Sequence, residues 1–165
     1  MSRCHTPIRR TLAAASLCLA TLPALAQSSA TFGVTATVLA SCTVVGGIPL
    51  AFGIVSPGVQ ADSSTVVTAT CTVGTPYSLS LDAGTGSGAT VADRRMTSGT
   101  DTLAYRLYRD AGRTQLWGDG TNGTVFNSST GTGLLQSFTV YGRVPSSATA
   151  TVGVYADTIT VTATY

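Results

Sequence analysis

Along most of the chain, apolar residues recur at every second position, the period of a strand with one buried face rather than the three-to-four spacing of a helix. Phe32, Val34, Ala36, Val38 and Ala40 alternate with Gly, Thr and Leu, and the pattern runs on through Cys42 and Val44. Val67, Ala69, Cys71 and Val73 alternate with Val66, Thr68, Thr70 and Thr72. Further strands are predicted around Tyr77, Leu79 and Leu81, around Leu103, Tyr105 and Leu107, and from Phe138 and Val140 to Val144. The last is the cleanest, with Ile159, Val161, Ala163 and Tyr165 on one face and Thr158, Thr160, Thr162 and Thr164 on the other. Short strands bounded by Gly, Pro, Asp and Asn clusters predict a single all-β sandwich, with no helix, repeat or second domain. Gly46-Gly47 and Pro57-Gly58 read as tight turns and residues 84–88 as a hairpin loop. Residues 118–133 read as a surface excursion, anchored by Trp117 packing on the sandwich.

The start of the chain departs from this pattern. Arg3, Arg9 and Arg10 precede an apolar run from Thr11 to Pro23, and Ala24-Leu25-Ala26 supplies small residues for cleavage. Residues 1–26 are expected to be a signal peptide cut before Gln27. The apolar run is shorter than the ~20 residues of a membrane span, and the bulky Leu17 before Cys18 argues against lipid attachment. An exported protein is expected.

Removing the leader changes the charge and the chemistry. Residues 27–165 carry six Arg against seven Asp and no Lys, Glu or His, because His5 lies in the leader. The basic pI of the whole chain therefore carries no nucleic-acid signal. Nucleophilic catalysis with a His base or a Ser-Lys dyad is excluded by composition. Asp82, Asp93, Asp101, Asp110, Asp119 and Asp157 read as solvated turn residues rather than an acid–base pair, so no enzyme is expected. Cys4 and Cys18 leave with the leader, and Cys42 and Cys71 are expected to pair in an oxidising compartment. Two cysteines without histidine do not make a zinc site. The 84–88 glycine run lacks the Lys of a phosphate loop, and Asp119-Gly120-Thr121-Asn122-Gly123 has too few carboxylates for calcium. No metal or cofactor is expected. Arg94, Arg95, Arg106, Arg109 and Arg113, interspersed with Asp93, Asp101 and Asp110, read as a neutralised, solvated face. Asn122-Gly123-Thr124 and Asn127-Ser128-Ser129 read as exposed turns.

An apolar, unpaired edge strand is an aggregation hazard unless something covers it. Here the clean final strand stops at Tyr165, while an equally clean alternating segment precedes Cys42. The two look like halves of an intermolecular pairing; the alternative is that the N-terminal segment folds back on its own sheet.

The chain resembles the spore coat U domain family, which includes major subunits of archaic chaperone–usher pili of the Csu type. The resemblance rests on Cys42-Thr43-Val44, Leu50-Ala51-Phe52-Gly53, Cys71-Thr72, Tyr77-Ser78-Leu79-Ser80-Leu81-Asp82 and Arg95-Met96. It continues in Leu103-Ala104-Tyr105-Arg106-Leu107-Tyr108, Leu116-Trp117-Gly118-Asp119-Gly120-Thr121 and Val140-Tyr141-Gly142-Arg143-Val144-Pro145. It ends in Gly153-Val154-Tyr155-Ala156-Asp157 and Val161-Thr162-Ala163-Thr164-Tyr165. The resemblance implies an immunoglobulin-like sandwich that lacks its last strand and is completed by donor-strand exchange. A periplasmic chaperone fills the groove first. At the outer-membrane usher the N-terminal segment of an identical subunit replaces it, building a homopolymeric surface fibre for adhesion and biofilm formation.

On this reading residues 27–39 are the donor extension, with Ala30, Phe32, Val34, Ala36 and Val38 as its buried side chains, and residues 40–165 the pilin domain. Ile159, Val161, Ala163 and Tyr165 belong to the acceptor groove and its C-terminal strand. The aromatic stands last here, whereas better-known pilins carry it at the penultimate position. Other readings are a monomeric surface module that binds carbohydrate through loop aromatics such as Trp117, and a spore or cyst coat protein.

Overall fold

The structure, a computed structural model, describes residues 26–165. The expected leader, with Cys4, His5 and Cys18, lies outside the described residues except for its last residue, Ala26. Residues up to Ala36 and the body Thr37–Tyr165 form separate units. In the first, residues 26–36 carry no regular secondary structure, and Phe32 and Val34 are 88% and 82% exposed.

The body contains eight strands and, among the described residues, no helix. They are β1 (Cys42–Val45), β2 (Ala61–Cys71), β3 (Pro76–Leu81), β4 (Arg94–Ser98), β5 (Asp101–Tyr108), β6 (Asn127–Thr130), β7 (Gln136–Val144) and β8 (Val161–Thr164). One sheet has the order β1-β2-β7-β5-β4 and the other β6-β3-β8. Every strand pairing is antiparallel. The alternation read from the sequence sets which face is buried: Val67, Ala69 and Cys71 of β2, Leu103, Tyr105 and Leu107 of β5, and Val140 and Val144 of β7 form one half of the core. Tyr77, Leu79 and Leu81 of β3 supply the other half. The result is the expected all-β sandwich.

Cys42 lies directly opposite Cys71 in the β1–β2 ladder, and the two form a disulfide. Closing a loop of this size stabilises the fold by roughly 3–4 kcal/mol on the chain-entropy account. Ser41 is held at the same point, its N–H donating to Thr72 Oγ1 at 3.2 Å.

Several expectations need correction. The N-terminal alternation does not form a strand before Cys42, because residues 26–41 have no ladder partner. Pro57-Gly58 is a tight turn, closed by Val59 N–H to Ser56 C=O at 3.1 Å with Gly58 at φ 75°. Gly46-Gly47 is not: it opens a long connection from β1 to β2, and Gly47 is needed because a Cβ there would collide with the Val66 carbonyl. Residues 84–88 do not close a hairpin, since β3 and β4 lie in different sheets; they cross between layers. The 118–133 excursion returns to the sheet as β6, which pairs with β3 and places Asn127 in a strand.

The arginine cluster divides. In register across the outer face of the larger sheet, Arg106 lies opposite Arg143, and Arg143 opposite Asp62. Asp93 bounds the row at 3.7 Å from Arg106. That is the neutralised, solvated face expected for Arg106. Arg94 is different, being fully buried.

Asp62 accepts from Arg143 Nε and Nη2 at 2.8 and 2.9 Å. This bond, with the charge of Arg113 3.5 Å away, holds its pKa below the ordinary carboxylate value. A depressed folded-state pKa contributes stability that is present above the unfolded value near 3.9 and is lost as pH falls through the folded one. The expected result is that Asp62→Asn lowers stability at neutral pH and shrinks the loss seen on acidification below about pH 4, measured by urea unfolding at pH 7 and pH 3. An unchanged acid loss would mean the pair contributes nothing.

Candidate functional site: an open groove beside the last strand

Among the described residues β8 pairs with β3 alone, leaving its other edge without a ladder partner. The bond from Asp82 N–H to Thr160 C=O at 3.1 Å fixes the phase of this ladder. In an antiparallel pair both main-chain groups of a residue point the same way and alternate along the strand. The groups of Thr160, Thr162 and Thr164 therefore face β3, while those of Val161 and Ala163 face outward, free to bond another strand. The same two residues turn their side chains to the core, with Ile159 just before the strand doing likewise.

Alongside this edge lies a groove of about 1040 Å³. Its floor is the core itself: Val67, Leu81, Leu103, Tyr105, Leu107 and Val140. Two long connections form the walls. Residues 46–57 run along β2 and β7, tied by Thr65 Oγ1 to the Ile48 carbonyl and by Ser63 Oγ to the Ala51 carbonyl, both at 2.6 Å. Leu50 and Phe52 from this stretch rest over Gly142, and the Phe52 ring meets Tyr105 edge-on at 6.1 Å. The other wall is residues 150–159, docked on β4 by reciprocal main-chain bonds of Thr97 and Ala156 at 2.9 and 3.1 Å.

One end of the groove is closed by a polar cluster. Asp157 accepts from the Tyr105 hydroxyl at 2.6 Å, from the Thr85 N–H and hydroxyl at 2.7 and 2.9 Å, and from the Thr158 N–H at 2.8 Å. Burial, reinforced by the hydrogen bond to Asp157, raises the Tyr105 pKa far above that of a free phenol, so it serves as a fixed donor. Behind it the Arg94 guanidinium donates to the carbonyls of Asp82 at 2.8 Å, Val91 at 2.7 Å, Leu81 at 3.2 Å and Trp117 at 2.9 Å. Burial lowers the Arg94 pKa, opposed by nearby Tyr105, Asp82 and Asp157. Trp117 is fully buried, with its indole N–H on the Leu79 carbonyl at 2.9 Å. The anchoring role read for Trp117 is what the structure has, and a ring with no exposed face offers nothing to a sugar. Asp82 is solvated as expected, while also accepting from the N–H groups of Gly84 and Thr160 at 3.1 and 3.0 Å, and Asp157 is half-buried.

Of the residues singled out in the sequence, Ile159 and Val161 line the groove, and Ala163 packs against the core beyond it. Tyr165 follows β8, half exposed, and lines a shallow depression with Val38, Leu39, Ala40 and Val73. Ala30, Phe32, Val34 and Ala36 belong to the N-terminal unit and form no strand. Sequence reasoning missed the walls. The alternation of Leu50 and Phe52 was visible, but three glycines and two prolines between positions 46 and 57 masked it.

The ends of the sandwich are also defined. Ser41, the 72–75 link and Tyr165 share the end where Cys71 meets Cys42, here called the extension pole. The register of β5 on β7 sends the 98–101 turn past Val144 to the opposite, distal pole, where the bond to Thr97 also places residues 150–156.

A sandwich whose last strand leaves a core-deep groove and an unpaired ladder edge defines an incomplete immunoglobulin-like domain. The chain belongs to the Spore Coat Protein U domain family, matching it over residues 28–162. It is 33% identical to "Protein U" of Myxococcus xanthus over 181 aligned positions, covering 100% of both chains. It is also similar to a chain in the crystal structure of the CsuC–CsuE chaperone–tip adhesion subunit pre-assembly complex from archaic chaperone-usher Csu pili of Acinetobacter baumannii. That match has a TM-score of 0.54 and 22% identity over 78% of this chain. This chain spans 40% of that one.

Proposed function

We propose that this chain is an exported fibre subunit, built into a pilus by donation of residues 27–39 of one copy to the groove of the next. The observation that carries the reading is the groove itself: about 1040 Å³ of apolar space opening onto the core, beside a strand with free main-chain groups. Strand addition takes affinity from those groups and register from side chains at alternate positions. Ala30, Phe32, Val34, Ala36 and Val38 have that spacing, and Ile159, Val161 and Ala163 meet them from β8.

The reach of the chain favours a second copy as recipient. The pairings between the body's strands are all antiparallel, and a strand added antiparallel to β8 runs from the extension pole to the distal pole. Val38 would then emerge at the distal pole. Its own Ser41 is pinned at the extension pole, roughly 33 Å away by the length of β2, whereas the three residues 39–41 span at most about 11 Å.

A periplasmic chaperone and an outer-membrane usher are part of the same reading. An exposed groove of this depth needs cover in the periplasm, which a chaperone strand provides until the usher exchanges it. The Acinetobacter complex, a chaperone with a tip adhesion subunit, supports this by fold. Residues 1–26 act as the signal peptide, and the fibre serves adhesion and biofilm formation at the cell surface. The body has a scaffold's chemistry rather than an enzyme's. A coat role is the second reading, favoured by the family and by the full-length match to Protein U; the assembly step is the same.

The test is size-exclusion chromatography with light scattering on periplasmically expressed chain. Intact protein is expected to give heat-resistant polymers, and a chain lacking residues 27–38 a monomer whose groove accepts a synthetic peptide of that segment. A stable monomer with or without those residues would overturn the reading.

A further inference from the structure

The extension pole of the sandwich carries an apolar surface outside the groove, and the distal pole carries exposed apolar residues on the groove's rim. At the extension pole Leu39, Val73, Leu134, Leu135 and Tyr165 are 59–77% exposed. They lie together: Leu39, Val73 and Tyr165 border one depression, and Gly133 abuts the Val73 side chain so closely that a Cβ would meet Val73 Cγ2 at 2.9 Å. Leu134 and Leu135 follow directly, just before Gln136 enters the ladder opposite Ala69. At the distal pole Ile54, Val152 and Val154, from the two groove walls, are 89–106% exposed. Contiguous exposed apolar residues of this kind mark interaction sites.

We infer that these poles form a second contact between successive copies, the extension pole of each donor seating on the distal pole of its acceptor. The inference rests on the donor reading and adds a surface to it. Its occupant follows from chain length and direction. An antiparallel donor leaves its acceptor at the distal pole after Val38, and the chain re-enters its own body at Ser41, fixed by Thr72 and the adjacent disulfide. The intervening residues bridge no more than about 11 Å. The two apolar surfaces are thus brought face to face by the covalent geometry, and closing the gap removes both from water. The polar groups nearby, Asp101 with Thr151 and Tyr155, are already paired with one another, so they carry no unmet demand into such a contact.

Thiol labelling reads this directly. Leu135→Cys and Val73→Cys, both outside the groove, are made separately, with Ser64→Cys on the exposed outer face of β2 as control, and each is labelled with a maleimide dye as fibre and as monomer lacking residues 27–38. Labelling at both pole positions is expected to slow at least about tenfold in the fibre while Ser64→Cys stays reactive. Equal rates at the pole positions in fibre and monomer would overturn the inference and leave strand donation intact. Failure of the unsubstituted chain to form fibres would instead remove the donor reading. Amide exchange of the unsubstituted chain gives a second readout free of added thiols: protection of residues 131–135, which lie outside the groove, on assembly supports the contact, and unchanged exchange there overturns it.

Discussion

Changing Phe32 and Val34 together to aspartate will leave the sandwich folded and stop it polymerising. Both side chains are exposed in the subunit and contribute nothing to its core, so the midpoint of thermal unfolding of the unassembled chain should stay within about 2 °C, the scale of a neutral surface change. In the donor role they enter the groove with Val38. Burying three such side chains is worth on the order of 5–9 kcal/mol before ordering costs. Aspartates forfeit the Phe32 and Val34 share and place two carboxylates on an apolar floor, where the nearest polar cluster already holds Asp157. Light scattering should show monomer where the parent chain gives polymer. Normal polymers from the double variant would mean that these positions do not face the groove.

The second large effect falls on a buried residue behind the groove's polar cluster. Arg94→Met keeps most of the side-chain volume but strips the donors from four carbonyls, those of Leu81, Asp82, Val91 and Trp117. The expected loss is on the order of 3–5 kcal/mol, which is much of the stability of a domain this size. Arg94→Lys should recover little, because one ammonium cannot reach in three directions at once. Urea unfolding of the disulfide-bonded chain measures both. A loss below about 1 kcal/mol for Arg94→Met would put the guanidinium's bonds at no more than surface value.

The strands with one buried face were legible because a period of two survives in a sequence without context: β2, β3, β5, β7 and β8 all followed it. β4 and β6 were not, since Arg94–Ser98 and Asn127–Thr130 are polar runs that become strands only by pairing with β5 and β3. Arg94 misled for the same reason. Its sequence neighbours Asp93 and Arg95 are also charged, and nothing local reveals that Leu81, Asp82, Val91 and Trp117 turn their carbonyls toward it. The disulfide was legible from counting, whereas the groove was only half so. β8 announced itself by alternating Thr with Ile, Val and Ala, but the walls at 46–57 and 150–159 are irregular chain whose position is set by side-chain bonds from Ser63 and Thr65 and by the single bridge at Thr97.

The placement of Cys42 has a mechanical consequence. In a fibre held together through N-terminal extensions, tension reaches each body at Ser41, and β1 is only four residues long at the rim of its sheet. Hydrogen bonds at the end of so short a strand would open one after another under load. The covalent link from Cys42 to Cys71 passes the pull at once to β2, an eleven-residue strand flanked on both sides. Drawn along its length, that strand must shear its ladder as a block, so reducing the disulfide turns a shear joint into a peel joint.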